Sequence, residues 1–220
     1  DNLSFALDTF SGSGKIKITV QVLLNLKEIK NLKYGGQINL SDFSLKNLPY
    51  LQNIPNINGI INFSNHSVSS QNLKGLIYNF MANLTGEIKN FANPQADLTL
   101  SSDLDLSRIK PNLPKNLDEK LTDVDIKGQG HFQVLFNGLL KDNILSNLKA
   151  RLSLKEASLK TAVLPYALEN LSGNISLEKG SFVLEQGAFS YNKIPYNLNG
   201  SISHFARPNI ALNLSSEKLK

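Results

Sequence analysis

Three histidines, His66, His131 and His204, are the side chains best suited to proton transfer or metal ligation near neutral pH. Each falls in its own strand or turn, with no second His or carboxylate at the spacing a zinc site uses. His66 and His131 lie among polar-facing residues and read as solvated. The carboxylates group as Asp97, Asp103 and Asp105, and as Asp123 and Asp125. A calcium loop needs more oxygen ligands on a tight turn and a downstream Glu, so these read as the polar side of strands. Gly12-Ser13-Gly14 and Gly128-Gln129-Gly130 lack the Lys-Ser/Thr and the helix of a phosphate loop and read as bulges or tight turns at strand starts. Asn65, Asn83 and Asn213 head Asn-x-Ser/Thr triplets, which matter only where secreted chains are glycosylated. No Cys is present, which removes disulfides and thiolate metal sites. No nucleophile, base and orienting group can be assembled, so the expectation is a non-enzyme with no metal and no cofactor.

Charge points nowhere in particular. The 23 Lys and Arg outnumber the 18 Asp and Glu for a net charge of +5, but they are dispersed, which suits a solubilising surface and gives no nucleic-acid site. Function must then come from the apolar residues and the elements that carry them. Hydrophobic residues make up 41% of the chain, in short alternating runs; no continuous stretch is long enough to span a bilayer. The text opens directly on strand-like sequence, as though cut from something longer. Cytosol and periplasm both remain open at this point.

The strands come in duplicate. LTGEIKNFANPQADLTLSS (Leu84 to Ser102) returns as LNGSISHFARPNIALNLSS (Leu198 to Ser216), with Gly86, Phe91, Pro94, Leu98, Leu100, Ser101 and Ser102 recurring 114 residues later. GSGKIKITVQVLL from Gly12 matches GQGHFQVLF from Gly128 at an offset of 116. QINLSDFSLKNLPY from Gln37 matches RLSLKEASLKTAVLPY from Arg151, with Ala162 and Val163 read as an insertion; Gly59 and Gly173 restore the 114 spacing. Asn25 to Lys33 and Lys141 to Lys149 read as loop plus the start of a strand. Leu104 to Asp118, with Pro111 and Pro114, reads as a connector, followed by a short helix around Asn116 to Leu121. The expected domains are repeat one over 1–114 and repeat two over 115–220, each of roughly seven antiparallel strands of about 5–6 residues.

Alternation gives a sheet with one apolar face, and that face needs a cover. No helix is long enough to supply it. A closed barrel, two sheets face to face, or one long sheet holding something else remain. In the first copy the face carries Ile16, Ile18, Val20, Val22, Ile38, Leu40, Ile61, Phe63, Leu84, Ile88, Leu98 and Leu100. In the second it carries Phe132, Val134, Phe136, Leu152, Leu154, Ile175, Leu177, Leu198, Ile202, Leu212 and Leu214. This lining is mostly aliphatic and without Trp, which suits acyl chains better than flat rings or sugars. At roughly 0.8 kcal/mol per buried CH₂, a sixteen-carbon chain would gain on the order of 10 kcal/mol before ordering costs. Lys15, Lys89 and Lys160 are candidates to meet phosphates at the rims.

The run G-x-I-x-x-F-x-x-P-x-x-x-L-x-L-S-S, at Gly86 to Ser102 and Gly200 to Ser216, with the N-x-x-G-x-I strand and the Leu-Pro-Tyr connector before it, resembles the AsmA-like superfamily of bacterial envelope proteins, including its TamB and YhdP branches. The resemblance covers nearly the whole chain. It implies an all-β fold: an elongated, curved, mainly antiparallel open sheet in the shape of a taco, built from two tandem repeats with little helix. It further implies an internal groove segment of a periplasmic bridge protein in a Gram-negative-type bacterium, the parent anchored in the inner membrane. The partners so implied are phospholipid acyl chains, neighbouring repeats of the same chain, and inner- or outer-membrane proteins reached through the missing termini. The alternative is a structural or adhesive β-sandwich repeat that binds protein or glycan through its loops.

Overall fold

The computed structural model describes residues 11–23, 32–47, 53–109, 123–142, 144–178, 180–203 and 207–217. The protein is all-β. The first six strands are β1 (Ser11–Leu23), β2 (Lys33–Lys46), β3 (Asn53–Ser64), β4 (Ser67–Ile77), β5 (Phe80–Lys89) and β6 (Gln95–Asp105). After a 3-10 turn at Leu106–Arg108 come β7 (Val124–Leu139), the single helical turn α1 (Ile144–Asn147), β8 (Leu148–Thr161), β9 (Leu168–Glu178), β10 (Ser181–Tyr191), β11 (Ile194–Ser203) and β12 (Asn209–Ser215). They lie side by side in chain order as one open antiparallel sheet that does not close. The barrel and the two facing sheets are thereby excluded for the described strands. Packing divides the chain into two units, the first combining Asp1–Leu100 with Phe136–Asp142 and the second Ser101–Leu135 with Asn143–Lys220.

Where the sequence suggests roughly seven short strands per copy, the described residues show six in each, and these are longer, of 7 to 16 residues. The reason lies in Asn, Asp and Gly residues that read as turns but sit inside strands as β-bulges. Asp42 and Glu156 have φ of 49° and 50°, Asn56 and Asn170 57° and 54°, Gly59 and Gly173 142° and 145°. Asp42 and Glu156 are the extra residues where the pairing register slips between Leu40 and Phe43 in β2 and between Leu154 and Ala157 in β8. Asn56 and Asn170 lie at the next slip, between Phe43 and Leu45 and between Ala157 and Leu159. Gly59 and Gly173 face the bulges of the following strands, at Asn72 and at Gln186-Gly187. A bulge bends its strand and increases its twist. Its unpaired amide still needs an acceptor, and side chains of the next strand provide one: the Asp42 N–H donates to Asn58 Oδ1 at 3.0 Å, the Gln186 N–H to Asn199 Oδ1 at 2.9 Å.

The bulges also correct the repeat. Gly14 (φ 136°) and Gly128 (φ 114°) occupy the same place, opposite the Asp42 and Glu156 bulges, so the offset there is 114 as elsewhere, not the 116 that aligning Gly12 with Gly128 suggests. The insertion is absent too. Leu45 pairs with Ile54 and Leu159 with Leu168, which gives both turns one length; the second Leu-Pro-Tyr is displaced within it. Leu48 to Tyr50, Pro111, Pro114, His204, Phe205 and the helix expected at Asn116 to Leu121 lie outside the described residues, as do 24–31. Of the other loop, α1 occupies part and β8 begins at Leu148.

Two hairpins turn on two residues that both have positive φ, Tyr78-Asn79 (48°, 62°) and Asn192-Lys193 (48°, 65°), the geometry that matches the twist of the flanking strands. Lys193 has a Cβ that this conformation penalises. Lys193→Gly is expected to raise stability by about 0.5–1 kcal/mol, read as a higher urea midpoint at unchanged slope.

Candidate functional site

Directly opposed residues of neighbouring strands share a face, so the register tests which apolar side chains belong together. In the first unit Ile18 opposes Ile38, which opposes Ile61, and Ile16 opposes Leu40. Val20 opposes Gly36, then come Phe63, Val68 and Ile88 in one row; Val22 opposes Tyr34, and Leu84 opposes Leu73. In the second unit one row runs Leu152, Ile175, Leu184, Gly200 and Leu212. A second runs Ala150, Leu177, Phe182, Ile202 and Ile210; Leu154 opposes Gly173, and Leu198 opposes Leu214. Leu98 and Leu100 in β6, and Phe132, Val134 and Phe136 in β7, follow the same alternation. Leu98 lies beside Gly86, whose absent Cβ would sit 2.8 Å from the Leu98 Cα.

The rows are not uniformly greasy. Ser70 stands opposite Gly86, and its hydroxyl donates to the Ile60 carbonyl at 2.8 Å; the second copy places Leu184 at the equivalent point. Glycines on this face serve as seats. A Cβ on Gly36 would lie 2.8 Å from the Phe63 ring, and one on Gly130 would lie 3.2 Å from Leu106 and 3.4 Å from Leu152. Neighbouring side chains therefore lie down over the gaps.

Among the described residues there is no second sheet, and the helical elements are too short to form a layer over this face; local cover comes from Leu106, which lies over Gly130 beside Leu152. Of the lining residues only Leu40 and Phe136 are buried. Those in β2 to β11 are otherwise half-buried, and the outer strands are open: Ile18 is 60% exposed and Leu212 66%. The only helical elements described are the three-residue turn and α1.

Sequence alternation missed part of the face. Phe43, Leu45, Ile54, Ile57, Leu73 and Leu184 belong to it, and Ile57 is only 5% exposed. Each bulge shifts the parity, so apolar residues step two, three, two: 38, 40, 43, 45 in β2 and 152, 154, 157, 159 in β8. That spacing was the available signal. Beyond the bulges Phe43 opposes Ile57 and Gly75 opposes Ala82. At the equivalent positions Ala157 opposes Leu171, and Phe189 stacks on Tyr196 with ring centroids 5.3 Å apart. The bulk has moved from the first strand of the row to the last two.

The other face is polar. A depression of about 700 Å³ opens there in the first unit, lined among others by Gln71, Thr85, Glu87, Asp97 and Thr99. Lys89 bonds Glu87 at 2.9 Å on this side, and Lys15 and Lys160 alternate with Ile16 and Leu159 and leave from it as well. The three lysines therefore do not border the apolar rows, which corrects the rim assignment. Asp97, Asp103 and Asp105 take alternate positions on the polar side of β6 as expected; Asp125 meets Lys127 at 3.4 Å. Asp105 also caps the 3-10 turn, accepting from the Ser107 amide at 3.1 Å and hydroxyl at 2.6 Å. His66 is exposed in a turn, while His131 Nδ1 meets Asp103 Oδ1 at 2.7 Å across β6 and β7, a pairing that separation in sequence concealed.

Fold and face together define an open antiparallel β-sheet protein with an apolar side that its described residues leave uncovered. No protein-family model matches the chain, and no curated protein or solved structure matches it either.

Proposed function

We propose that the apolar face binds phospholipid acyl chains, and that the chain serves as an internal groove segment of an AsmA-like periplasmic bridge protein carrying phospholipid between the inner and outer membranes. One observation carries this reading: aliphatic side chains of consecutive strands stand in aligned rows, half-buried to exposed, with no described layer over them. A sheet left so costs free energy in water, about 25 cal/mol for each Å² of apolar surface uncovered, and a bound acyl chain offsets that cost. Transport on such a surface is passive. Chains slide along largely aliphatic rows, where the Ser70 hydroxyl is already engaged by the Ile60 carbonyl, and the head group stays in solvent. The repeated Gly86 to Ser102 and Gly200 to Ser216 pattern, with its resemblance to that superfamily, supports the setting.

Lipid extracted from the purified chain and measured by mass spectrometry tests the reading. Phospholipid is expected to co-purify, and the double variant Ile18→Asp with Leu100→Asp is expected to lose at least about nine-tenths of it, because a carboxylate placed against an acyl chain loses hydration it cannot recover. The β-sheet circular dichroism should persist. Equal phospholipid in the two proteins, or none in either, sinks the reading.

A further inference from the structure

Among the described strands the outer two, β1 and β12, are each paired on one side only, and the duplication contains a template for what fits them. β7 is the repeat equivalent of β1, and β6 of β12. Inside the sheet β6 lies against β7. There the same positions are covered: Val22 of β1 is 57% exposed where its equivalent Phe136 is 9%, and Ile210 of β12 is 57% exposed where its equivalent Ala96 is 0%. From the β6–β7 pairing we infer that β12 of one chain docks against β1 of a second copy, head to tail, in the β6–β7 register.

That register is fixed at two points. The Leu140 N–H donates to the Pro94 carbonyl at 2.9 Å, and Asp103 meets His131 at 2.7 Å; in an antiparallel pair each step back on one strand is a step forward on the other, and both contacts fit one alignment. Moved by the repeat offset of 114, Asp103 becomes Glu217 and His131 becomes Lys17. An acid faces a base in both junctions, and both Glu217 and Lys17 are exposed. Two steps further along, Thr19 faces Ser215 on the polar side, and Val20 faces Leu214 on the apolar side. An unpaired strand edge is a template for main-chain pairing, and pairing unlike edges of identical chains is a heterologous contact that builds open chains of subunits unless the rotation closes a ring. This inference does not depend on lipid binding, and where a neighbouring repeat of a longer chain flanks the sheet, that repeat would take the same edge in the same register. A dry protein still has these edges, and a lipid-loaded monomer would leave the functional reading intact.

Sedimentation velocity of the unmodified chain over a hundredfold concentration range is the first test, with growth beyond a dimer expected. Because the chain has no Cys, Thr19→Cys and Ser215→Cys chains mixed under oxidising conditions give the second. The mixed disulfide between one Thr19→Cys chain and one Ser215→Cys chain should dominate. Lys17→Glu should weaken association about fivefold, and adding Glu217→Lys should restore it. A chain that stays monomeric throughout, or a Thr19→Cys homodimer as the main cross-linked species, overturns the inference.

Discussion

Gly59→Ala is expected to cost the protein roughly 2–6 kcal/mol, a large fraction of the stability of an ordinary domain. Two independent effects add. The backbone at Gly59 has φ of 142°, which an L side chain adopts at a cost of order 1–3 kcal/mol. A Cβ there would also stand 2.1 Å from the Asn72 carbonyl oxygen and 3.0 Å from the Leu73 Cα. Backbone cannot swing aside as a side-chain tip can, so β3 and β4 would have to part where the bulge holds them, for about 1–3 kcal/mol more. Gly180 is the control. Its φ of 72° is also positive, but a Cβ there meets nothing within 4 Å, so Gly180→Ala should cost only about 1 kcal/mol. Urea titration by circular dichroism compares them directly. Equal losses would mean that strain at Gly59 is relieved without opening the β3–β4 ladder.

Leu106→Ala should cost about 2–4 kcal/mol. Leu106 is the largest fully buried side chain among the described residues, 1% exposed, held in place by the Asp105-capped turn and lying over Gly130. Removing its isobutyl group leaves a hole between Gly130 and Leu152 that neither can fill, Gly130 having no side chain to move. Ile18→Ala, by contrast, removes a side chain that is 60% exposed and should cost less than about 1 kcal/mol. The same denaturation experiment reads both. A loss at Ile18 as large as that at Leu106 would show that something buries the outer strand in solution.

The all-β class and antiparallel order followed from strict alternation and from the lack of any helix-length amphipathic run. The aliphatic rows were legible where alternation is unbroken, as from Ile16 to Val22. They became illegible at Asp42, Asn56 and Asn170, because Asn and Asp tolerate positive φ and serve turns and bulges alike, and at Glu156, whose residue type signals neither; only pairing with a neighbour reveals the bulge. The Gly12–Gly128 alignment went astray for a related reason. Two Gly-x-Gly runs matched as text, whereas the bulge across the strand selects Gly14. The Asp103–His131 contact joins residues that the chain separates by a connector and the start of a strand, so nothing local announces it. Glycine seats such as Gly36 under Phe63 depend on which ring lies over which gap, which no single-strand pattern contains.

The displaced bulk beyond the bulges, Phe43 opposite Ile57 in one copy and Phe189 on Tyr196 in the other, bears on how the two halves can exchange sequence. Backbone turns, bulges and hairpins are interchangeable between them; individual residues are not. Grafting Phe189 alone onto Gly75 would crowd a ring against Ile54 and Ile57, which approach a Cβ there to 3.0 and 3.2 Å. Transplanting all four members of the row together would carry its own packing solution with it, so the smallest unit of inheritance in this sheet is a line of side chains running across the strands.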